Sequence, residues 1–491
     1  MHPPLDTAAN PGALRRVVIE PVSRVEGHGK VTILLDDAHR VHQVRLHIVE
    51  FRGFERFIVG RPYWEVPVMV QRLCGICPVS HHLAAAKALD PVVGATTLTA
   101  TADRIRRLMH YGQILQSHAL HFFHLASPDL LFGFDAAPAR RNVVELLAAH
   151  PDLARQGIGL RKFGQECIRI TAGKRVHGTG AVPGGVNKPV TGEERDQLRA
   201  ALPEVLAWAE AGVTLIRDLH AADRARYDRF GTVRSSLLSV VGADGALDLY
   251  DGVLRARDAD GALIFDGVAP ADYHAHLREN VRSWSYMKFP FLTARGADDG
   301  WYKVGPLARL QNCDRIGTPR AEAARRELLA SGGGALIHAP LAFHWARMIE
   351  LLHAAEVIGS LLDDPALLGD DLLASGPRGR EGVGIIEAPR GTLIHHYQVG
   401  DDDLVTMCNL IVSTTHNNQA MNEAIREVAR EHLDGHEPTE ALLNHIEVAI
   451  RAFDPCLSCA THALGKMPLA VEIVDAAGAQ VAHLVRDGER L

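Results

Sequence analysis

Apolar and polar residues change their period several times along this chain, and each change marks an element. Between 16 and 50 three apolar runs occur, Val17-Val18-Ile19, 30–35 and 41–49, with the polar Asp36-Asp37-Ala38-His39 between the last two; this predicts strands joined by a turn. From about 100 the period lengthens: Ile105, Leu108, Met109, Ile114 and Leu115 share one helical face, with Thr101 as the expected cap. A second helix is predicted over 152–171, and Thr191-Gly192-Glu193-Glu194 is a capping box that opens a long helix toward 220. Short β segments return over 236–266, with Asp244-Gly245 and Asp260-Gly261 as hairpin turns. Helices are predicted over 318–331, 340–362, 416–432 and 439–452. Two or three strands over 382–412 flank Ala388-Pro389-Arg390-Gly391, and Ser375-Gly376-Pro377-Arg378-Gly379 is loop. A last strand pair, 469–474 and 481–485, forms a hairpin near the C-terminus.

A length of 491 residues suggests roughly three domains. No internal repeat or low-complexity linker divides the chain, which favours one mixed, helix-dominated body. A hydrophobic share of 47% is enough for a large core. The net charge of −7 argues against nucleic acid or an anionic membrane as the main partner. No apolar run is long enough to span a bilayer, and Met1-His2-Pro3-Pro4 opens no secretory signal. Arg15-Arg16 is a twin-arginine pair, but the apolar stretch after it is too short for export. Seven cysteines, an odd number, do not suggest a secreted disulfide framework. The expected location is cytoplasmic, with a periplasmic one reachable on an exported partner.

Four of those cysteines change the picture. Arg72-Leu73-Cys74-Gly75-Ile76-Cys77, followed by His81, lies near one end of the chain, and Asp454-Pro455-Cys456-Leu457-Ser458-Cys459, followed by His462, lies near the other. Thiolates are soft ligands that select nickel, zinc, copper(I) or iron–sulfur centres. One C-x-x-C motif is compatible with a redox dithiol, half a zinc site or chance. Two raise a four-cysteine zinc knot, although such knots staple local structure rather than the two ends of a long chain. Gly75 would let the backbone approach a centre closely, and Pro455 would stiffen the approach of the second pair. His81 and His462 are placed to act as ligands or as hydrogen-bond donors to ligands.

These motifs resemble those of the large, catalytic subunit of nickel–iron hydrogenases. Arg72, Cys74, Gly75, Cys77 and His81 meet the first family signature, and Asp454, Pro455, Cys456, Cys459 and His462 meet the second. Arg24-Val25-Glu26-Gly27-His28, Phe51-Arg52-Gly53-Phe54-Glu55 and Glu387-Ala388-Pro389-Arg390-Gly391 match three further family elements. The stretches 49–60, 284–290, 351–357 and 456–469 look most like the soluble, NAD-reducing group. The resemblance implies an α+β, helix-dominated fold, a single domain over 1–491 in which a large central helical bundle carries peripheral antiparallel sheets.

It also implies roles. Cys74 and Cys456 would be terminal nickel ligands, and Cys77 and Cys459 would bridge nickel to an iron carrying CO and cyanide. Splitting dihydrogen heterolytically needs a hydride acceptor and a base. The Cys456 thiolate is the favoured base and Arg390 its rival or electrostatic helper, because a guanidinium is a poor base at its ordinary pKa. Glu26 would carry the proton away; without its motif it would read as a surface carboxylate. Glu55, His462 and the Leu410 carbonyl would hold a magnesium ion, which prefers oxygen ligands; without the motif Glu55 would read as an exposed partner of Arg52 or Arg56. Many respiratory members carry an aspartate in the helix that here reads Gln116-Ser117-His118. Cys167, Cys313 and Cys408 belong to no motif and read as small buried hydrophobes.

With four cysteines committed to the centre, electrons must leave through other polypeptides. The resemblance implies a small iron–sulfur subunit, then a flavin-containing diaphorase that would hold the FMN and NAD. This chain has no G-x-G-x-x-G nucleotide motif opening a strand–helix unit. A maturation endopeptidase would cut His462–Ala463 and release 463–491 as a propeptide. The alternatives are a quinone-chamber structural subunit of a complex I-like oxidoreductase, which shares the ancestry but lacks the four cysteines, and a zinc scaffold built on four cysteines.

Overall fold

Four long helices, Ala100–Leu120, Pro151–Ala172, Gly192–Ala222 and Ala342–Asp363, pack on one another at the centre of the protein. The computed structural model describes residues 5–460, 469–474 and 480–486. The predicted capping box opens the longest helix: Glu194 N donates to Thr191 Oγ1 at 3.2 Å, and Thr191 N donates to the Glu194 carboxylate at 3.1 Å. The Ala100–Leu120 helix is capped by Thr99 rather than Thr101. Thr99 is extended and its Oγ1 accepts Ala102 N at 3.1 Å, whereas Thr101 lies inside the first turn and is buried.

Sheets surround the bundle. Arg15–Ile19, Gly29–Leu35 and Val41–Ile48 pair antiparallel in chain order, as do Glu381–Ala388, Gly391–Val399 and Val405–Ile411. A four-stranded sheet orders Tyr302–Lys303, Ser236–Val241, Val253–Arg257 and Leu263–Val268. Its first pair is parallel, which departs from the all-antiparallel expectation. Asp260-Gly261 does turn a hairpin, with Gly261 at φ +93°. Asp244-Gly245 instead makes a local turn, Gly242 N to Ala246 O at 2.8 Å, within a longer excursion that carries Asp248 to Arg107 at 3.1 Å.

The predicted helices over 318–331, 340–362, 416–432 and 439–452 form as Pro319–Ser331, Ala342–Asp363, Asn418–His432 and Glu440–Ala452. The helix Pro78–Leu89 does not follow from the apolar pattern. All its residues but Lys87 are buried, so no polar face marks its period. Leu469–Val474 and Gln480–Arg486 pair antiparallel as the hairpin expected there. Among the described residues, no helix is long and apolar enough to cross a membrane.

Candidate metal centre

Local structure aims each cysteine pair. A 3-10 turn, Val70–Leu73, ends at the extended Cys74, and Cys77 caps the N-terminus of Pro78–Leu89. The main-chain N–H groups of Ile76 and Cys77 donate to Cys74 Sγ at 3.2 and 3.1 Å. The second pair follows Glu440–Ala452. Asp454 takes a left-handed conformation (φ +54°), which asparagine and aspartate tolerate better than most residues, and turns the chain into Pro455. Cys456 N then donates to Thr414 Oγ1 at 2.9 Å. The 24–28 loop lies directly on this segment: Leu457 N donates to Glu26 O at 2.9 Å, and a Cβ on Gly27 would lie 2.5 Å from Ser458 N. Gly27, at φ +79°, is what allows that approach.

The four cysteines meet. Their Sγ atoms all lie within 4.8 Å of one another, and all four residues are buried. Cys74 is 3.1 Å from Cys456 and 3.0 Å from Cys77; Cys459 is 2.7 Å from Cys456 and 3.8 Å from Cys77. Burial opposes ionisation of Cys74, but S–H donation from the other three thiols and the Arg390 charge bring its pKa well below the ordinary value. Burial and the neighbouring sulfurs push Cys456 and Cys459 well above theirs. The cluster thus accommodates a first negative charge and resists more, so four thiolates require a compensating cation. A soft metal fits this donor set.

Glu26 and Arg390 flank it. Cys456 Sγ donates to Glu26 Oε2 at 2.9 Å, Ser458 N donates to the same oxygen at 3.2 Å, and the Ser458 hydroxyl bonds to Oε1. Glu26 is therefore no free surface carboxylate. Arg390 is 3% exposed; its Nε donates to Asp454 O at 2.6 Å and its Nη2 to Asp454 Oδ1 at 3.0 Å. Burial works against its charge, yet Asp454 and the cysteines raise its pKa well above the ordinary value. Ser117 Oγ accepts from Arg390 Nη1 at 3.5 Å, so the carboxylate partner of Arg390 here is Asp454 rather than a residue of the 116–118 stretch. Arg390 also borders a small cavity with Cys77, His81, Pro389, Val412 and Cys456.

Of the residues expected at a magnesium site, Glu55 and Leu410 are brought together: Leu410 N donates to Glu55 Oε1 at 2.9 Å. Glu55 is buried, and Arg52 pairs with Glu50 instead, at 3.4 Å. His462 lies outside the described residues, as does the His462–Ala463 bond. His81 Nδ1 is 3.1 Å from His395 Nε2. Gly75 is exposed, and an added Cβ would meet nothing within 4 Å among the described residues. Cys167, Cys313 and Cys408 are buried as expected, with burial pushing the Cys313 thiol up to about 12.

Sequence reasoning missed Ser458, Thr414, Arg309 and Glu350. The last two are charges set singly in apolar runs, Leu307-Ala308-Arg309-Leu310 and Met348-Ile349-Glu350-Leu351, a pattern that signals a buried ion pair.

Comparison with known proteins agrees with this geometry. The family model described as nickel-dependent hydrogenase matches residues 52–150 and 255–462, and one described as HoxL-like matches 16–51. The chain is 47% identical to the NAD-reducing hydrogenase HoxS subunit beta of Cupriavidus necator, over 96% of this chain and all of that protein. It is 40% identical to a subunit of the F420-non-reducing hydrogenase of Methanothermobacter thermautotrophicus, over 96% of this chain and 100% of that one. A solved NAD+-reducing [NiFe]-hydrogenase in the H2-reduced state superimposes with a TM-score of 0.90 at 63% identity, covering 92% of this chain and 100% of that chain. The Ni-Fe-Se hydrogenase of D. vulgaris Hildenborough, at 24% identity and a TM-score of 0.75, shares the fold. The chain belongs to the nickel-dependent hydrogenase family as its large, catalytic subunit, close to the NAD-reducing group.

Proposed function

We propose that this subunit cleaves dihydrogen reversibly into protons and electrons at a nickel–iron centre held by Cys74, Cys77, Cys456 and Cys459, and that the electrons reach NAD+ through partner subunits. The observation that carries this is the convergence of four buried thiols with Glu26 on one side and Arg390 on the other. By motif position, Cys74 and Cys456 would hold nickel, and Cys77 and Cys459 would serve nickel and iron together. The cavity beside them suits small diatomic ligands: Ala388, Pro389, Leu393 and Val412 give an apolar wall for CO, and the Arg390 guanidinium and the Thr414 hydroxyl offer donors for cyanide.

When bound, the centre supplies the electron-accepting chemistry that dihydrogen cleavage requires. The chain's own residues handle the proton. The Cys456 thiolate accepts it and passes it to Glu26 Oε2 across the 2.9 Å contact, while Ser458 holds that carboxylate in place. Arg390, fixed in its charged form by Asp454, serves as an electrostatic anchor rather than a base.

Glu55, the Leu410 carbonyl and His462 are the proposed magnesium ligands, supported by the contact between the first two. Electrons leave through a small iron–sulfur subunit to a flavin-containing diaphorase carrying FMN and NAD, in the cytoplasm. Phe57 and Trp64, 47% and 53% exposed just ahead of the first cysteine pair, are apolar surface of the kind a partner covers. A maturation endopeptidase removes 463–491.

The test is metal analysis of the purified complex together with hydrogen-dependent NAD+ reduction. Nickel near one per complex, with iron in excess of what the partner's iron–sulfur clusters hold, and activity, is the expected result. Zinc in place of nickel would overturn the proposal in favour of a scaffold, and neither nickel nor zinc in favour of a structural role.

A further inference from the structure

Resting on that placement of Arg390 beside the metal centre, we propose that Arg309, braced by Glu350, is a positioning residue. It props the two-residue turn that presents Arg390 to the cavity.

The turn needs support. Glu381–Ala388 and Gly391–Val399 pair to their very ends, Ala388 opposite Gly391, which leaves only Pro389 and Arg390 as the loop. Loops this short favour turns with a positive φ at the first position, because their twist matches that of the strands. Pro389 is locked near −65°, and Arg390 is not among the residues with positive φ. A loop of this kind tends to splay its strands, yet these pair to the last residue, so other groups must offset that tendency. Gly391, at φ +138° with its Cα hard against Val304, absorbs part of the mismatch: a Cβ there would lie 2.3 Å from Val304 Cγ2.

Arg309 absorbs the rest. A guanidinium has five N–H donors in a fixed fork, and the five contacts of Arg309 match them. Nε donates to Glu350 Oε1 at 2.7 Å, and Nη2 to Glu350 Oε2 at 2.5 Å and Pro389 O at 3.3 Å. Nη1 donates to Glu387 Oε2 at 2.8 Å and Ala388 O at 2.9 Å. Both loop-side carbonyls that precede Arg390 are thus held by one rigid group. Glu350 sets the fork: it takes Arg309 bidentately and pairs with His118 Nε2 at 3.0 Å. His118 directly follows Ser117, which accepts from the head of Arg390. The clamp therefore reaches Arg390 from behind, through its backbone, and in front, through the Ala100–Leu120 helix.

Stability alone is a poor reason for this arrangement. Arg309, Glu350 and Glu387 are all 0% exposed, and apolar residues of similar volume are often as stable as a buried ion pair. Lysine, a single-point donor, cannot reproduce the fork.

The test uses the full complex carrying Arg309→Lys, Glu350→Gln, Arg390→Lys and the double variant Arg309→Lys/Arg390→Lys. Nickel and iron content, the infrared stretches of the cyanide and CO ligands, and hydrogen–deuterium exchange are measured. Arg309→Lys should keep its metals, move the cyanide bands in the direction that Arg390→Lys moves them, and slow exchange on the order of tenfold to a hundredfold. The double variant should be no slower than Arg390→Lys alone, because one residue acts through the other. Wild-type bands and rates in Arg309→Lys, or losses that multiply in the double variant, would overturn the proposal. If Arg309→Lys does not load metal, the shape-preserving Glu350→Gln takes the same measurements. Failure of both to load would make the pair structural and also overturn it. A wild-type complex without nickel would defeat the metal-centre proposal itself, which is a separate outcome.

Discussion

Cys456 Sγ donates to Glu26 Oε2 at 2.9 Å across a sequence separation of 430 residues. The backbone reinforces the contact: Leu457 N donates to Glu26 O at 2.9 Å and fixes the segment, and Ser458 N donates to Glu26 Oε2 at 3.2 Å, so the carboxylate cannot swing away without unpairing that N–H. An acceptor fixed this close to a sulfur is placed to take a proton from it.

Glu26→Gln should preserve metal content and the cysteine geometry but slow hydrogen–deuterium exchange by at least about a hundredfold, because an amide cannot relay the proton. Solvent exchange on the purified complex measures this. Full exchange in the variant would mean that the proton leaves by another route.

Cys456→Ser should abolish hydrogen activation while leaving the helical bundle folded. A hydroxyl is a harder ligand than a thiolate and a weaker proton acceptor near neutrality. Circular dichroism checks the fold and exchange kinetics the chemistry; a wild-type exchange rate would refute the assignment of Cys456.

Lys303 gives the protein a pH-dependent stability. It is 1% exposed, its Nζ donates to Val233 O at 2.5 Å and His338 O at 2.9 Å, and burial lowers its pKa to about 7 from 10.5. Between those two values the unfolded chain binds one more proton than the native one, so this residue's contribution to stability is full above 10.5 and is lost progressively as pH falls to about 7. Wild type should therefore gain melting temperature relative to Lys303→Met from pH 7 to pH 10. Parallel melting curves across that range would show that Lys303 is not held neutral.

The hairpin of Leu469–Val474 and Gln480–Arg486 lies beyond the last cysteine motif. If 463–491 is a propeptide, the large subunit of active, nickel-loaded complex should end at His462. Intact-mass measurement decides it, and a subunit still ending at Leu491 rules the cleavage out.

Much of the architecture is legible because local chemistry and burial agree. Thr191 and Glu194 form both halves of the expected box, and the apolar face of Ala100–Leu120 turns inward. The helix Pro78–Leu89 is not legible, because a helix buried all round carries no periodic signal; only Pro78 at its first position hints at it. The convergence of the cysteines is legible from their spacing, and the placing of Glu26 and Arg390 beside them from short motifs. Ser458 and the Arg309–Glu350 clamp are not, since their roles arise from contacts between segments far apart in the chain.

The two cysteine pairs also set a timetable for biosynthesis. Cys74 and Cys456 stand 382 residues apart, so a long stretch of chain must be made after the first pair before the second exists. Metal offered before then would find only two of the centre's four cysteines, a far weaker trap than the complete set. Joining such distant segments adds little entropic cost, about 0.6 kcal/mol for each doubling of the loop. What governs assembly is order: the four central helices are all made before the second cysteine pair, so a four-cysteine trap cannot form ahead of them.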